Sequence, residues 1–444
     1  MTRIHRLANA ARVALEAGRQ RRVPFWSPAR IERAQRRRLA RIVRHAWDTV
    51  PFWREAMEKR GLTPRDLASV DDLKRLPLID GALFHAREAD FGSTAVVDRD
   101  VLSLSTSASS RGIPKVIRWD PESQLLKLAY AERDRMVLTR LAGKAWGQRQ
   151  MWFLPAVSSA YVVRQWWDAQ VMMPRGLAHR EIVPPESPFE EWVERLDRSR
   201  PLVVYSYGSS SERFFRWLTI TGRSAWLPRV WVFGGERMAP EWRARAEERG
   251  CRVLSTYQSV EAGRIGFECE RRDGFHLNVD LCAVRIVDGD GREVPAGALG
   301  EVVVSNLFNR ATVLFNMRTG DRAALEPHPC PCGRTLPLLS RLEGRTWETI
   351  RLPGGVEIGS TDLLNALKDE LVFALQFQLV HPVPGRVEWR VVVDPAQDAG
   401  AGSRRLAART LEVLGPGSSI TVERVEEILP EPSGKWRLVV RGWE

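Results

Sequence analysis

The sequence predicts an α/β fold with a large N-terminal domain, built on parallel sheets and a β-rich section, and a small mobile α+β C-terminal domain. Between residues 149 and 250, apolar strand-like segments alternate with amphipathic helical segments, which is typical of parallel βαβ units. From about residue 264 to 340 the pattern is strand-rich around a "DGDG" turn, which indicates antiparallel pairing. Short helices and strands alternate in the last 100 residues. The predicted domains are therefore residues 1–343 and residues 345–444.

Amphipathic helices are predicted for much of the first part of the chain. Residues 28–60 predict one or two helices, broken by the "VPFW" segment at residues 50–53. Thr63 and Ser69 are predicted N-caps of two short helices, since acidic residues follow each of them. A further helix is predicted for residues 122–143.

Strands and helices then alternate in the predicted α/β core. The strands are residues 149–155, 201–208 and 229–235, and the helices are residues 188–200, 210–222 and 239–250. In the C-terminal part, the Gly- and Ala-rich segment 394–405 is predicted to be a mobile loop.

The basic residues are concentrated at the N-terminus. The chain has 444 residues and a formal net charge of +12, and residues 1–60 contain 16 Lys and Arg against 5 Asp and Glu. A basic arm on a balanced body favours a local anionic contact or a solvated helix face over a nucleic-acid groove. No motif for DNA or RNA recognition accompanies the arm. A solvated surface helix is the favoured interpretation; membrane contact, a transit peptide and a homodimer stay open.

The apolar runs and the number of cysteines indicate in which cellular compartment the protein is expected. No apolar run reaches the roughly 20 residues that a membrane helix needs, and the N-terminus has no uninterrupted apolar region typical of a secretory signal. Five cysteines are too few for a disulfide scaffold in a chain of this length. The sequence therefore predicts a cytoplasmic protein without a membrane span, with Cys251 and Cys282 in the core.

Five polar segments are candidates for a ligand site. In open α/β sheets, ligands bind beyond the carboxyl ends of the strands, and several of these segments follow predicted strands. Each segment alone is common loop chemistry, and their order and spacing give them weight. In chain order the segments are "STSASSRGIPKV" (105–116), "VFGGE" (232–236), "STYQSVE" (255–261), "MRTGD" (317–321), which places Asp321 on a turn, and "PSGK", which places Lys435 on a loop before a strand.

This order resembles the phenylacetate–coenzyme A ligase-like family of the adenylate-forming (acyl-CoA synthetase) enzymes, over nearly the whole chain. Residues 41–80 resemble the opening region of that family. "STSASSRGIPK" occupies the place of its Ser/Thr/Gly phosphate loop, "VFGGE" that of its Gly-Gly-Glu segment, and "TYQSVE" that of its Tyr-Gly-x-Thr-Glu motif. "RTGD", "CPCGRT" and "PSGK" complete the set. The resemblance implies an adenylation domain followed by a lid domain that carries Lys435.

The resemblance also implies a role for each matching residue. Glu261 would hold Mg²⁺, Asp321 would bind the ribose hydroxyls, and Lys435 would bridge carboxylate and α-phosphate oxygens during adenylation. Glu261 and Lys435 are thus the implied catalytic residues. The residues implied in ATP binding are Ser107, Ser109, Ser110, Gly112 and Lys115 at the phosphates, Gly235, Glu236 and Tyr257 at the adenine, and also Gln258, Ser259, Asp321 and Arg345.

Three departures from the family pattern concern the same site. Ala108 stands where a glycine is usual, in a loop that is one residue longer around Arg111. Val260 replaces a Thr whose hydroxyl faces phosphate, and the hinge segment 344–348 reads "GRTWE" without paired aspartates. A reshaped pocket and a loss of activity both stay open as explanations.

A separate group contains three cysteines and one histidine. Cys269 and His276 lie in a predicted strand–turn–strand, and Cys330 and Cys332 follow about 55 residues later. Three thiolates and an imidazole are the ligand set of a closed structural zinc site. The spacing alone leaves four incidental residues open as the alternative, and the family's own "CE…GxH…CPCGR" pattern favours Zn²⁺.

The predicted reaction is the activation of a carboxylic acid by ATP as an acyl-adenylate, followed by transfer to coenzyme A. The acid is expected to be aryl or hydrophobic, although most of the 17 Trp residues are expected to lie in the core. Two alternatives stay open. One is an adenylating ligase that forms an amide or ester, and the other is a non-catalytic descendant.

Overall fold

A computed structural model of the protein describes residues 2–96, 101–106, 115–173, 178–345, 349–352, 355, 357–395, 398–431 and 435–442, with the side chains of residues 178, 344, 345, 349 and 361 left out. Short 3₁₀ turns connect some of the helices in the first 100 residues. The α-helices of the described residues are α1 (Arg3–Gln20), α2 (Pro28–Thr49), α3 (Pro51–Glu58), α4 (Gly81–Ala86), α5 (Pro121–Tyr130), α6 (Glu132–Ala142), α7 (Ser159–Gln170), α8 (Phe189–Ser199), α9 (Gly208–Ile220), α10 (Pro240–Glu248), α11 (Ser360–Ala366) and α12 (Ala399–Leu414).

The strands of the described residues are β1 (Leu102–Ser105), β2 (Val116–Trp119), β3 (Gln148–Phe153), β4 (Ala178–Val183), β5 (Val203–Tyr207), β6 (Val230–Gly234), β7 (Arg252–Ser259), β8 (Gly263–Glu268), β9 (Phe275–Leu277), β10 (Cys282–Val287), β11 (Gly300–Asn306), β12 (Met317–Leu325), β13 (Leu338–Arg345), β14 (Thr349–Arg351), β15 (Glu357–Gly359), β16 (Ala374–Val383), β17 (Arg386–Val393), β18 (Ser419–Arg424) and β19 (Val439–Arg441).

The chain folds into two compact units. The first unit contains residues Met1–Gln148, Ala156–Ala178 and Leu254–Leu342, and the second contains Arg149–Pro155, His179–Val253 and Glu343–Glu444. The C-terminal 100 residues therefore pack in one unit with two earlier ranges. The division into domains 1–343 and 345–444 stays a prediction.

The β-rich section lies in the first unit and is antiparallel, as predicted. Its strands have the order β10-β11-β12-β13-β9-β8-β7. The pairs β10–β11, β11–β12, β13–β9, β9–β8 and β8–β7 are all antiparallel. One hydrophobic core connects this sheet with α2 and α3, where Trp53 is fully buried and its indole nitrogen donates a hydrogen bond to the Val313 carbonyl at 2.8 Å.

The helical predictions for the first unit are confirmed with two adjustments. The break at residues 50–53 separates α2 from α3, and Thr63 and Ser69 form capping boxes with Asp66 and Asp72. The caps start 3₁₀ turns rather than α-helices. The helix predicted for residues 122–143 is divided at Ala131 into α5 and α6.

A fully buried arginine holds α6 against α1 and the residues that follow β9. The Arg133 guanidinium makes two hydrogen bonds to the Asp280 carboxylate, at 2.8 and 2.9 Å, and also contacts the side-chain oxygens of Gln20 and Asn278 at 2.7 and 2.8 Å. Burial alone would raise the pKa of Asp280, but the charge and hydrogen bonds of Arg133 hold that pKa below its ordinary value. The pair is therefore ionised and depends on both partners.

Substituting Arg133→Met is expected to lower the free energy of unfolding of the first unit by about 3–5 kcal/mol, because Asp280 would stay buried without its bidentate partner. Urea unfolding followed by tryptophan fluorescence measures the loss. The matched control is Arg12→Met, whose ion pair with Glu122 is exposed on both sides and whose loss should cost less than about 1 kcal/mol. Equal losses in the two variants would contradict this prediction.

Parallel βαβ units form the core of the second unit, as predicted. Its strands have the order β6-β5-β3-β4, and β3–β5 and β5–β6 are parallel. Stacked aromatic rings fill the core; the rings of Phe153 and Trp192 lie 3.6 Å apart between centroids. Trp192, Trp231 and Trp242 are all buried, in agreement with the expectation that most tryptophans are core residues.

The C-terminal part of the second unit is an α+β layer. Four strands in the order β18-β17-β16-β19 pack with α11 and α12. The prediction of a mobile loop over residues 394–405 is wrong for residues 399–405, because these residues begin α12. The Asp398 carboxylate caps this helix by accepting hydrogen bonds from the Gly400 and Ala401 amides. Gly402 serves close packing, since a Cβ there would lie 2.5 Å from the Phe373 ring.

None of the described helices combines the length and the apolar composition needed to cross a lipid bilayer.

Candidate functional site

The predicted phosphate loop connects two paired strands of the first unit. Ser107, Ser109, Ser110 and Gly112 lie outside the described residues. At the flanks of the loop, the Thr106 amide donates to the Lys115 carbonyl at 2.8 Å, and the Lys115 amide donates to Thr106 Oγ1 at 2.9 Å. Strands β1 and β2 continue this pairing in antiparallel register. These bonds hold Lys115 at the base of the loop.

Lys115 forms an ion pair with Glu261. The Lys115 ammonium lies 2.6 Å from the Glu261 carboxylate, and the two side chains are 7% and 12% exposed. Burial alone would raise the pKa of Glu261, but the charge and hydrogen bond of Lys115 hold that pKa below its ordinary value. Glu261 is therefore an ionised, partly desolvated carboxylate beside the phosphate loop.

The backbone around Glu261 is held by three hydrogen bonds. Asn306 Nδ2 donates to the Glu261 carbonyl at 3.0 Å, the Trp119 indole donates to the Val260 carbonyl at 3.1 Å, and the Ala262 amide donates to Ser259 Oγ at 3.1 Å. Ser259 is half-buried and Gln258 is exposed at the end of β7. These contacts fix the direction of the Glu261 side chain after the strand ends.

Tyr257 of β7 and Asp321 of β12 lie in contact in the first unit. The buried Tyr257 hydroxyl donates to Asp321 Oδ2 at 2.8 Å. Burial and the Asp321 charge both raise the pKa of Tyr257 well above its ordinary value. Tyr257 therefore stays a neutral hydrogen-bond donor that orients the Asp321 carboxylate.

Asp321 lies inside a strand, so the prediction of a turn at this residue is wrong. The reason is a bulge in β12: Val303 pairs with Arg318 and Glu301 pairs with Arg322, so three residues oppose the single Val302. Gly320 has φ +78° at this point, a conformation that favours glycine. Bulges often change the direction of side chains next to active sites. In this strand, the turn-like sequence "RTGD" indicates the position of the bulge.

The residues around Glu261 fit a magnesium ion that is held together with a substrate. Mg²⁺ is usually bound by one or two carboxylates and by substrate phosphates rather than by a complete protein cage. Glu261 supplies one ionised carboxylate at the base of the predicted phosphate loop. The donor set is therefore appropriate for Mg²⁺ with ATP.

In the second unit, Lys435 lies on the Gly-Gly-Glu loop from 200 residues earlier in the chain. The Lys435 ammonium donates to the Gly235 carbonyl at 3.1 Å and lies 5.5 Å from the centre of the Tyr207 ring. Gly235 has φ +74°, and a Cβ there would lie 3.3 Å from the Tyr207 ring and 3.6 Å from the Lys435 ammonium. The loop after β6 therefore needs glycine at this position and places its backbone against Lys435.

Neighbouring side chains hold both sides of this contact. Glu236 accepts a hydrogen bond from the Ser209 hydroxyl. Trp436, next to Lys435, is 6% exposed and donates its indole hydrogen bond to the Ile428 carbonyl at 3.0 Å, and the Arg213 guanidinium lies 4.0 Å from its ring centre. Burial lowers the pKa of Arg213 to about 10, although the Glu236 charge opposes the shift. The buried and hydrogen-bonded Trp436 thus fixes the position of the neighbouring Lys435.

The three cysteines and the histidine lie together in the first unit. Their ligand atoms are all within 4.8 Å of one another. Cys269 Sγ and Cys330 Sγ are 3.8 Å apart, and Cys332 Sγ and His276 Nε2 are 3.3 Å apart. A tetrahedral zinc ion with Zn–S bonds of ~2.3 Å would separate two sulfurs by ~3.8 Å. The arrangement therefore has the dimensions of a zinc site.

Backbone amides and one arginine surround this cluster. The Arg271 amide donates to Cys269 Sγ at 3.4 Å and the Arg334 amide donates to Cys332 Sγ at 3.5 Å. Burial, with a smaller effect of the Arg334 charge, lowers the pKa of His276 to about 4. Burial would raise the pKa of Cys332, but the amide and guanidinium of Arg334 hold it below its ordinary value. A neutral imidazole and amide-bonded sulfurs are what metal ligation requires.

Burial acts differently on the remaining cysteines. It raises the pKa of Cys330 to about 12 and also raises the pKa of Cys269. Cys251 and Cys282 lie apart from the cluster, and both are buried in hydrophobic cores, as predicted. Burial raises the pKa of Cys251 well above its ordinary value and that of Cys282 to about 12.

The sequence interpretation missed four residues of these arrangements. Tyr207 ends β5, and Ser209 and Arg213 lie one turn apart on α9. Their signal was the position of "YGSSSER" immediately after a parallel strand, where ligands bind in open α/β sheets. Trp436 was visible only as a neighbour of Lys435. Arg345 ends β13, and its side chain lies outside the described part of the chain.

Comparisons with known proteins identify what this chain is similar to. No protein-family model matches the chain. The chain is 26% identical over 334 residues to a phenylacetate-coenzyme A ligase of Thermus thermophilus, a match that covers 72% of this chain and 71% of that protein. It is 24% identical over 379 residues to the Aromatoleum evansii enzyme of the same name, with 82% of each chain covered.

Solved structures of CoA ligases share the fold. A 2-hydroxyisobutyryl-CoA ligase in the postadenylation state has a TM-score of 0.74 at 19% identity and covers 95% of this chain and 91% of its own. A benzoate CoA ligase from Burkholderia xenovorans has a TM-score of 0.52 at 15% identity and covers 78% of this chain and 69% of its own. The predicted α/β fold class is confirmed. The chain is thus a relative of the phenylacetate–coenzyme A ligases with the fold of the adenylate-forming enzymes.

Proposed function

We propose that this protein is an acid–thiol ligase that activates a carboxylic acid with ATP and transfers the acyl group to coenzyme A. The observation that carries the proposal is the contact between the Lys435 ammonium and the Gly235 carbonyl. This contact joins the C-terminal lysine to the loop that the resemblance assigns to the nucleotide. The similarity to phenylacetate-coenzyme A ligases over more than two thirds of the chain supports the same reaction class.

In the first step, an oxygen of the substrate carboxylate attacks the α-phosphorus of ATP. The bond from that phosphorus to the bridging oxygen breaks, and pyrophosphate leaves with the electron pair. Two anions approach each other in this step, so preorganised positive charge lowers the barrier. The resemblance implies such a charge for Lys435, which lies on the Gly235 loop, and for Lys115, which lies beside the phosphate loop. A Mg²⁺ ion held by Glu261 and the phosphates would neutralise the triphosphate.

The resemblance implies a role in nucleotide binding for residues of each unit. In the first unit, Tyr257 holds Asp321 in one orientation, so that the carboxylate can accept hydrogen bonds from the ribose hydroxyls. In the second unit, Gly235 and Glu236 would lie beside the adenine. A nucleotide held in one orientation would react faster, because the attacking and leaving groups would already be aligned.

In the second step, the thiol of coenzyme A loses its proton to solvent, and the thiolate sulfur attacks the acyl carbonyl carbon. AMP leaves with the electron pair of the bond between that carbon and the phosphate oxygen. We expect an aryl or hydrophobic acid because the similar proteins carry the name of phenylacetate. The buried tryptophans give no support for this choice, since they fill the hydrophobic cores.

Zn²⁺ would have a structural role at Cys269, His276, Cys330 and Cys332. All four positions of a tetrahedral ion would be occupied by protein atoms, which leaves no position for a substrate. The ion would join the β8–β9 hairpin to the segment before β13. Its thiolates require reducing conditions, which fits the predicted cytoplasmic location.

The test is ATP–pyrophosphate exchange with a panel of acids that includes phenylacetate, benzoate and 2-hydroxyisobutyrate. We expect exchange with at least one aryl acid, and a CoA thioester as the product when coenzyme A is added. Exchange without thioester formation would favour an amide- or ester-forming ligase. A protein that shows no exchange and does not bind ATP would contradict the proposal and favour a non-catalytic descendant.

A further inference from the structure

The N-terminal helix α1 has its apolar face in solvent. Ile4, Leu7 and Leu15 are 80%, 49% and 81% exposed. Ala11 and Gly18, also exposed, complete a spacing of three and four residues that places all five on one side of the helix. We call this set the α1 stripe. It extends along most of a helix about 27 Å long.

The opposite face of α1 packs against the protein; its fully buried side chains are polar, and Ala10, Val13 and Ala17 are half-buried there. Asn9 and Gln20 are 5% and 0% exposed. Asn9 Nδ2 donates to the Gln170 carbonyl at 2.9 Å, and Gln20 Oε1 accepts from Arg133 at 2.7 Å. Arg6 donates to the Asp168 carbonyl at 2.8 Å. A surface helix normally buries its large apolar side chains, whereas α1 leaves Ile4, Leu7 and Leu15 exposed and available to an external surface.

Arginines continue from the end of this helix along α2. The guanidinium groups of Arg19 and Arg30 both lie over the Trp26 ring, at 5.4 and 4.0 Å from its centre, so the C-terminal end of α1 lies beside the start of α2. Arg30, Arg33, Arg37 and Arg41 are exposed at helical spacing on α2. Of these, Arg33, Arg37 and Arg41 form no ion pair with any described residue. This row of arginines is called the α2 basic row.

We propose that the α1 stripe and the α2 basic row dock the protein on an anionic lipid surface. An exposed apolar helix face with neighbouring arginines binds at the boundary of headgroups and acyl chains, and anionic lipids add electrostatic attraction. The apolar side chains favour lipid over nucleic acid, because a phosphate backbone offers no matching apolar surface. The favoured sequence interpretation, a solvated surface helix, did not foresee this orientation.

A second copy of the chain is the less favourable occupant. A face about 27 Å long and about 10 Å wide offers about 300 Å², whereas a stable interface buries about 800 Å² on each partner. The arginines around the stripe would also bring like charges together in a pair of such faces. Both the area and the charge therefore favour a lipid surface.

The experiment is co-sedimentation with vesicles of phosphatidylcholine containing 30% phosphatidylglycerol, compared with phosphatidylcholine alone. We expect binding to the anionic vesicles that weakens in high salt. The double variant Leu7→Glu/Leu15→Glu should lower the partition coefficient by at least about tenfold, since both apolar area and favourable charge are lost. Arg33→Glu/Arg37→Glu lies outside the stripe and should also weaken binding and reduce its dependence on salt.

The matched control is Leu411→Glu/Leu429→Glu, which changes two exposed leucines of the second unit. This control should bind the vesicles as the wild type does, and all variants should keep the wild-type thermal midpoint. The proposal is overturned if the wild type does not bind anionic vesicles, or if neither double variant weakens binding. It is also overturned if the chain forms a lipid-free dimer that Leu7→Glu/Leu15→Glu dissociates, because the stripe would then belong to a second copy.

Discussion

Replacing Lys435 with alanine is expected to lower the rate of acyl-adenylate formation by about 10²–10³-fold, the range found when one preorganised charge or donor is removed from a developing anion. The lysine lies on the Gly235 carbonyl and is followed by the buried Trp436, so its charge is placed before the substrates bind. ATP–pyrophosphate exchange measures this step directly. ATP affinity should change by less than about threefold, because the loss falls on the transition state.

Two comparisons make the Lys435 result specific. Lys368→Ala removes an exposed lysine from the same unit and should keep the wild-type exchange rate. Thioester formation from a supplied acyl-adenylate should fall much less than exchange in Lys435→Ala, because that step involves no triphosphate. An exchange rate in Lys435→Ala close to that of Lys368→Ala would exclude the proposed role of Lys435.

The alternation of strands and helices was sufficient to predict the architecture. Parallel pairs β3–β5 and β5–β6 and the antiparallel section follow directly from segment patterns that act locally. Two local predictions were wrong because packing decided them. Residues 399–405 begin a helix because Asp398 caps it and Gly402 fits under the Phe373 ring. Asp321 lies in a bulged strand. The sequence could not show this, because only the pairing partner distinguishes a bulge from a turn.

The contacts between pairs of site residues were harder to predict from the sequence than the fold. Lys435 and Gly235 lie in contact, and their function in one site stays a prediction. The ion pair of Lys115 with Glu261 and the hydrogen bond of Tyr257 to Asp321 depend on strand register. A motif specifies residue types but not their distances. The same limit applies to α1, whose amphipathic pattern identifies an apolar face but not the direction in which it points.

Removing two ligands of the cysteine–histidine cluster is expected to destabilise the first unit strongly. In Cys330→Ser/Cys332→Ser, bound zinc should fall from about one ion per chain to none, because two of four ligands are lost. The free energy of unfolding of the first unit should fall by more than about 4 kcal/mol, since zinc binding free energy is folding free energy. Metal analysis by mass spectrometry and urea unfolding measure the two effects independently of activity.

The position of the cluster also predicts which segments should unfold first in the double variant and which cysteine substitution should leave zinc binding unchanged. Hydrogen exchange should accelerate first around Cys269 and in the residues before β13, because the hydrophobic cluster there is small and consists of Cys269, Cys330, Leu338 and Cys332. Cys282→Ser, a buried thiol change in the same unit, should keep the zinc and lose only about 1–3 kcal/mol for an unsatisfied hydroxyl. A purified wild type that contains no zinc, or a double variant that is as stable as Cys282→Ser, would show that the four residues do not form a structural metal site.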